Sequence, residues 1–95
     1  MRKEDILRLL KEHVAELGKY NVSAIAIFGS AARDELQPDS DIDILVEFAQ
    51  PVGLFQFVRL KMQLEAMLGK TVDLVTLPAL KEQLKPAILK EAVYA

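Results

Sequence analysis

Apolar residues recur at helical spacing at the start of the chain: Ile6, Leu9, Leu10, Val14 and Leu17 lie on one face of a segment from Glu4 to Leu17. Gly18 follows where a helix C-cap belongs. The pattern then changes. Val22-Ser23-Ala24-Ile25-Ala26-Ile27-Phe28 is short, largely apolar and β-prone, which predicts a buried strand ending at Gly29-Ser30. Ala31 to Leu36 has room for a helical turn or two, and Gln37-Pro38-Asp39-Ser40 is turn chemistry. From Asp41 to Phe48 the pattern alternates: Ile42, Ile44, Val46 and Phe48 against Asp41, Asp43, Leu45 and Glu47. That is a strand with one face on a core. Leu54 to Leu68 reads as a long helix capped by Gly69, Lys70 to Thr76 as a third strand, and Leu80 to Val93 as a helical region interrupted by Pro86. The order α-β-(α)-β-α-β-α predicts a small sheet covered by helices.

The Leu54–Leu68 segment carries two apolar stripes. Phe57, Leu60, Leu64 and Met67 fall on one side, and Phe55, Val58, Met62 and Ala66 nearly opposite. A surface helix needs only one buried stripe. Either this helix is sandwiched between the sheet and another helix, or its second stripe is a partner or oligomer surface.

Composition narrows the class. Ninety-five residues without repeats or linkers imply a single domain, 1–95. Twelve Lys/Arg against fourteen Asp/Glu give a net charge of −2, which argues against a nucleic-acid binding surface. No apolar run reaches the ~18–20 residues of a membrane span, and the N-terminus lacks an apolar leader, so a cytoplasmic protein is expected. With no cysteine and one histidine, His13, thiolate metal sites are excluded and a histidine triad is improbable. His13 is expected at a boundary or exposed position, and Tyr20 and Tyr94 as packing or surface residues. Chemistry, if present, falls to carboxylates. Six of the fourteen lie between positions 34 and 47.

Three features carry that chemistry. Gly29-Ser30 closes a strand before a helical turn, where a missing Cβ lets backbone approach a phosphate and free N–H groups favour its charge. Asp41 and Asp43, two apart on a strand, share a face about 6.6 Å apart, a repulsive pair unless a cation neutralises it. Magnesium takes such oxygen ligands together with substrate phosphates. Asp73 interrupts the apolar run Val72-Asp73-Leu74-Val75, and joins the other two if its strand lies beside theirs with matched facing. Each feature alone also fits a simpler role: a strand-ending turn, a solvated strand face, an edge residue. A calcium loop starting at Asp39 fails, because Ile44 stands where glycine is required and Gln50 where a bidentate Glu is needed.

Together, Gly29-Ser30, ten intervening residues and Asp41-Ile42-Asp43 form a G-S-x10-D-x-D string. It resembles the signature of nucleotidyltransferases of the DNA polymerase beta superfamily. With Ala31-Ala32-Arg33, Glu35 and Ser40, and over almost the whole chain, the sequence is similar to the minimal nucleotidyltransferase (MNT) group. The resemblance implies an α+β, two-layer fold with a polymerase beta-like core, a small mixed sheet with helices mainly on one face, together with ATP or another nucleoside triphosphate as substrate and two Mg²⁺ ions. Asp41 and Asp43 would hold both ions. Asp73 would complete one site and help deprotonate the acceptor. Gly29, Ser30, Arg33 and Ser40 would bind the nucleotide. Asp34 stands where many relatives have glycine.

Minimal members resemble antitoxins encoded beside a HEPN-domain toxin, a ribonuclease that some of them are thought to neutralise, in a type VII-like manner, by adding AMP to a tyrosine. The expected partner is therefore a HEPN protein, with no membrane or direct nucleic-acid contact. The second stripe of the Leu54–Leu68 helix is a candidate surface for that partner or for oligomerisation. Two alternatives are a non-catalytic module that masks a HEPN partner, and nucleotidyl transfer to a small molecule such as an aminoglycoside.

Overall fold

Ile42, Ile44 and Val46 are fully shielded from solvent, and they mark the core face of a four-stranded sheet. The computed structural model describes residues 1–95. In chain order it has α1 (Lys3–Glu12), α2 (Val14–Gly18), β1 (Val22–Phe28), α3 (Gly29–Ala32), β2 (Ile42–Phe48), α4 (Leu54–Leu68), β3 (Val72–Thr76), α5 (Lys85–Glu91) and β4 (Val93–Tyr94). Short 3-10 turns at Leu77–Ala79 and Glu82–Leu84 lie between β3 and α5.

The sheet order is β3-β2-β1-β4. β1 pairs antiparallel with both β2 and β4, and β2 pairs parallel with β3, so the sheet is mixed as expected. A parallel pair needs a long crossover, which α4 supplies. Ile25 and Ile27 of β1, Ile42, Ile44 and Val46 of β2, and Val72 and Leu74 of β3 meet Ile6 and Leu10 of α1, Leu17 of α2, and Leu60, Leu64 and Leu68 of α4 in one cluster. Each such aliphatic side chain contributes about 1.5–3 kcal/mol when removed from water. The helices in this cluster all lie on one side of the sheet. Glu65 of α4 adds a polar tie by accepting the Val72 N–H at 3.0 Å, which anchors the start of β3.

The spans of β1 and α4 coincide with the sequence reading, and Gly69 closes α4 in the left-handed conformation at φ 70°. Other boundaries differ. The expected helix from Glu4 to Leu17 is two helices that meet at His13. The His13 ring pairs with the Leu9 carbonyl through Nδ1 at 2.7 Å, a local side-chain bond that competes with helix continuation. Gly18 is helical rather than the cap, and the left-handed turn falls on Asn21, φ 64°. The helical turn expected from Ala31 begins at Gly29 and ends at Ala32.

The C-terminal helix stops at Glu91, and Val93–Tyr94 form a fourth strand against β1. Pro86 stands near the helix start, where its missing N–H costs nothing. The outer stripe of α4 is uncovered: Phe55 is 83% exposed, Met62 63% and Val58 42%. The sandwiched alternative for this helix therefore fails.

Candidate active site

Pleating sends alternate residues of β2 away from the helices. Asp43 lies on that far face, where the register sets it opposite Phe28 of β1 on one side and Asp73 of β3 on the other. Leu45 and Ala26, also partners, are buried on the same face. Asp43 and Asp73 are therefore neighbours by main-chain pairing. A residue pair in direct register has its side chains within a few ångströms.

Asp43 is half-buried and its carboxyl is pushed up to about 6. Burial is the largest cause, followed by the charges of Asp73 and Asp41, a hydrogen bond with Asp73, and the charge of Glu91. Asp41 sits just outside β2 and is exposed, as is Asp73. Both of the expected companions thus act on Asp43. The three carboxylates do not, however, converge into a set at ligating distance.

The oxygen-only donor set, on a face where neighbouring carboxylates raise the proton affinity of Asp43, suits a hard divalent ion such as Mg²⁺. Backbone geometry supports the same centre. Gly29 has φ 64°, and a Cβ there would collide with Asp43 Oδ2 and lie 3.2 Å from its Cγ. Glycine at this position both permits the turn and leaves room for the carboxylate.

Gly29 also starts α3, whose Ala31 and Ala32 are small enough to pack into the core. This docking holds Ser30 at the end of β1, beside the Phe28–Asp43 pair. Arg33 is the C-cap of α3 rather than one turn inside a longer helix. Its Nε–H donates to Glu35 Oε2 at 3.3 Å and its Nη1 to Glu91 Oε1. The Glu35 bond and then the Glu91 charge hold the guanidinium above its usual pKa. Sequence spacing raised Glu35 as a contact but gave no sign of Glu91, which comes from 58 residues away.

Ser40 is committed locally. Its N–H donates to the Gln37 carbonyl at 3.0 Å and its hydroxyl accepts the Gln37 N–H at 3.2 Å. Lys70, which the sequence reading did not single out, donates through Nζ to the carbonyls of Gln37 and Pro38 at 3.3 and 3.0 Å. It ties the loop before Asp41 to the loop before Asp73. Together these loops line a polar cleft of about 220 Å³ that includes Asp39, Ser40, Asp41 and Thr71. Asp34 turns away from this region. At φ 59° it accepts the Lys3 N–H at 2.9 Å and lies 3.6 Å from Arg2. Its left-handed backbone is a conformation that glycine adopts freely.

The family model of the nucleotidyltransferase domain matches residues 7–95. The chain is 42% identical over 92 residues to protein adenylyltransferase MntA of Thermococcus cleftensis, covering 96% of this chain and 93% of that one. A solved structure assigned as a minimal nucleotidyltransferase superposes with a TM-score of 0.85 at 33% identity, over 98% of this chain and 95% of the other. A chain of the solved complex between tri-AMPylated HEPN toxin of Shewanella oneidensis and MNT antitoxin has the same fold, with a TM-score of 0.60 at 24% identity over 97% of this chain and 66% of that one. A Gly-Ser turn against an Asp-x-Asp strand, a third carboxylate in parallel register, and these likenesses agree: the chain belongs to the nucleotidyltransferase domain family, in its minimal, polymerase beta-like form, and is a nucleotidyltransferase.

Proposed function

We propose that this enzyme transfers AMP from ATP to a protein hydroxyl, that of a tyrosine on a HEPN-type ribonuclease toxin, and so acts as an antitoxin. The observation that carries the reading is the register pair Asp43–Asp73 beside Gly29, in a chain 42% identical to a protein adenylyltransferase. The HEPN acceptor rests on the Shewanella complex, whose toxin carries AMP.

In this reading the two substrates lie on opposite sides of Asp43. Gly29, Ser30 and Arg33 lie on the β1 side of Asp43, and Asp73 lies on β3, the outer strand. The triphosphate belongs on the first side, with its phosphates against the α3 turn and Arg33. The acceptor approaches from the open β3 side, where Asp73 is exposed enough to meet a macromolecule. Asp73 takes the acceptor's proton as its oxygen bonds the α-phosphorus, and the bond to pyrophosphate breaks on the opposite side. Asp41, Asp43 and Asp73 would hold two Mg²⁺ ions, which supply charge stabilisation for the attacking and leaving oxygens. Ser40 shapes the approach to Asp41 through its turn with Gln37.

The test incubates the protein with ATP, Mg²⁺ and a HEPN-type toxin, then weighs the toxin by intact-mass spectrometry. Addition of AMP units that is lost in Asp41→Asn/Asp43→Asn is the expected result. No added mass, with neutralisation surviving in that variant, would establish a masking module instead. AMP found only on a small hydroxyl compound would move the acceptor class.

A further inference from the structure

We infer that Glu91 is a positioning residue that holds the Arg33 guanidinium on the triphosphate side of the site. The inference rests on the nucleotidyl-transfer reading, in which Arg33 meets a phosphate. It concerns a residue outside the signature, delivered by the C-terminal segment.

The placement follows from pairing. Val93 is opposite Ile27 and Tyr94 opposite Ala26, so the same antiparallel register continued backwards sets Glu91 level with Gly29. β4 is only two residues long, and the Tyr94 hydroxyl bolts it down by donating to Glu47 Oε2 at 3.0 Å. Ala95 N–H adds a bond to the Ile25 carbonyl at 3.0 Å. Glu91 is the last residue of α5, so both helix and strand fix its backbone. Its side chain is 27% exposed, against 63% for Glu35, which makes it the more enclosed of the two partners of Arg33.

Arg33 needs such a partner. It caps a single helical turn and its side chain is half exposed, so a free guanidinium would sample many rotamers. A guanidinium has five N–H donors. Nε and Nη1 each give one to a carboxylate, which fixes the plane of the group and leaves both donors of Nη2 for a phosphate. Two carboxylates on one guanidinium leave a net negative charge, so their contribution to triphosphate binding is orientation rather than attraction. A simple electrostatic latch has the opposite sign: removing Glu91 would then strengthen nucleotide binding.

Titration calorimetry of the full chain with Mg²⁺ and a non-hydrolysable ATP analogue distinguishes these. Glu91→Gln is expected to weaken binding about tenfold, the scale of one hydrogen bond to a charged group. Arg33→Ala should weaken it at least as much, and Arg33→Ala/Glu91→Gln no further than Arg33→Ala alone. In turnover, KM for ATP rises while kcat is unchanged. If Glu91→Gln folds poorly by thermal denaturation, Glu91→Asp keeps the charge but loses one methylene of reach, and is expected to weaken binding as well. Unchanged or tighter binding in either folded variant, or additive losses in the double variant, overturns the inference. Failure of the unmodified chain to bind the analogue would instead overturn the nucleotidyl-transfer reading beneath it.

Discussion

Gly29 and Asp43 divide one space between them: the Asp43 carboxylate occupies the volume that any side chain at position 29 would need. Gly29→Ala therefore carries two penalties. The left-handed backbone costs an alanine about 1–2 kcal/mol, and the new methyl displaces Asp43. Urea denaturation should show lower stability, and AMP transfer should be lost with it. Gly29→Ala/Asp43→Gly relieves the collision but not the backbone strain, so it should recover part of the stability and none of the activity.

The raised pKa of Asp43 makes metal-free stability depend on pH with a definite sign. Below pH 3.8 the carboxyl is protonated in folded and unfolded chains alike. Between 3.8 and about 6 the folded form keeps a proton that the unfolded form has released, so stability falls as pH rises through this window. Asp43→Asn removes the penalty. With a chelator present, the variant should be more stable than the unmodified chain at pH 8, and the difference should vanish below pH 3.8. Chemical denaturation across that range checks it. Adding Mg²⁺ at pH 8 should stabilise the unmodified chain and not the variant.

Asp73→Asn should lower AMP transfer by about a hundredfold or more, since in the proposed mechanism it removes both a metal ligand and the proton acceptor. Asp73 is exposed, so stability should hold. Toxin binding by gel filtration should also persist, which separates lost chemistry from lost recognition.

Asp34 should prove structural. Asp34→Ala loses the bond to the Lys3 N–H and leaves alanine at φ 59°, an expected cost of about 1–2 kcal/mol. Asp34→Gly loses the same bond but relieves the backbone, so its cost should be smaller. Nucleotide titration should give equal affinity for both variants and the unmodified chain.

The outer stripe of α4 lies on the far side of the sheet from Asp43 and Asp73, in a molecule 20 Å deep along its short axis. Charging it with Val58→Glu/Met62→Glu should leave thermal stability and nucleotide binding intact, because both side chains are already in water. The same change should abolish the stable complex with the toxin on gel filtration. A complex that survives would remove this stripe from the contact.

The candidate site was legible in the sequence where its parts are local. Gly29-Ser30 and Asp41-Ile42-Asp43 sit on β1, α3 and the approach to β2, whose alternation is visible without a structure. The neighbour relation of Asp43 and Asp73 depended on β2 and β3 pairing in one register, which strand patterning allows but does not set. Glu91 was hidden for a different reason. Two residues of strand, Val93 and Tyr94, show no period, and the helical pattern before them ran on through the boundary. The break at His13 was equally invisible, because one ring nitrogen bonded to the Leu9 carbonyl leaves the apolar spacing unchanged.

The register that places Asp73 beside Asp43 also ties catalytic competence to correct assembly. A slip of one residue between β2 and β3 would turn Asp73 into the core and Val72 or Leu74 out to solvent. Such a chain would lose its hydrophobic contacts and its chemistry in the same step. Misregistered chains are therefore disfavoured by the same packing that sets Asp73 beside Asp43.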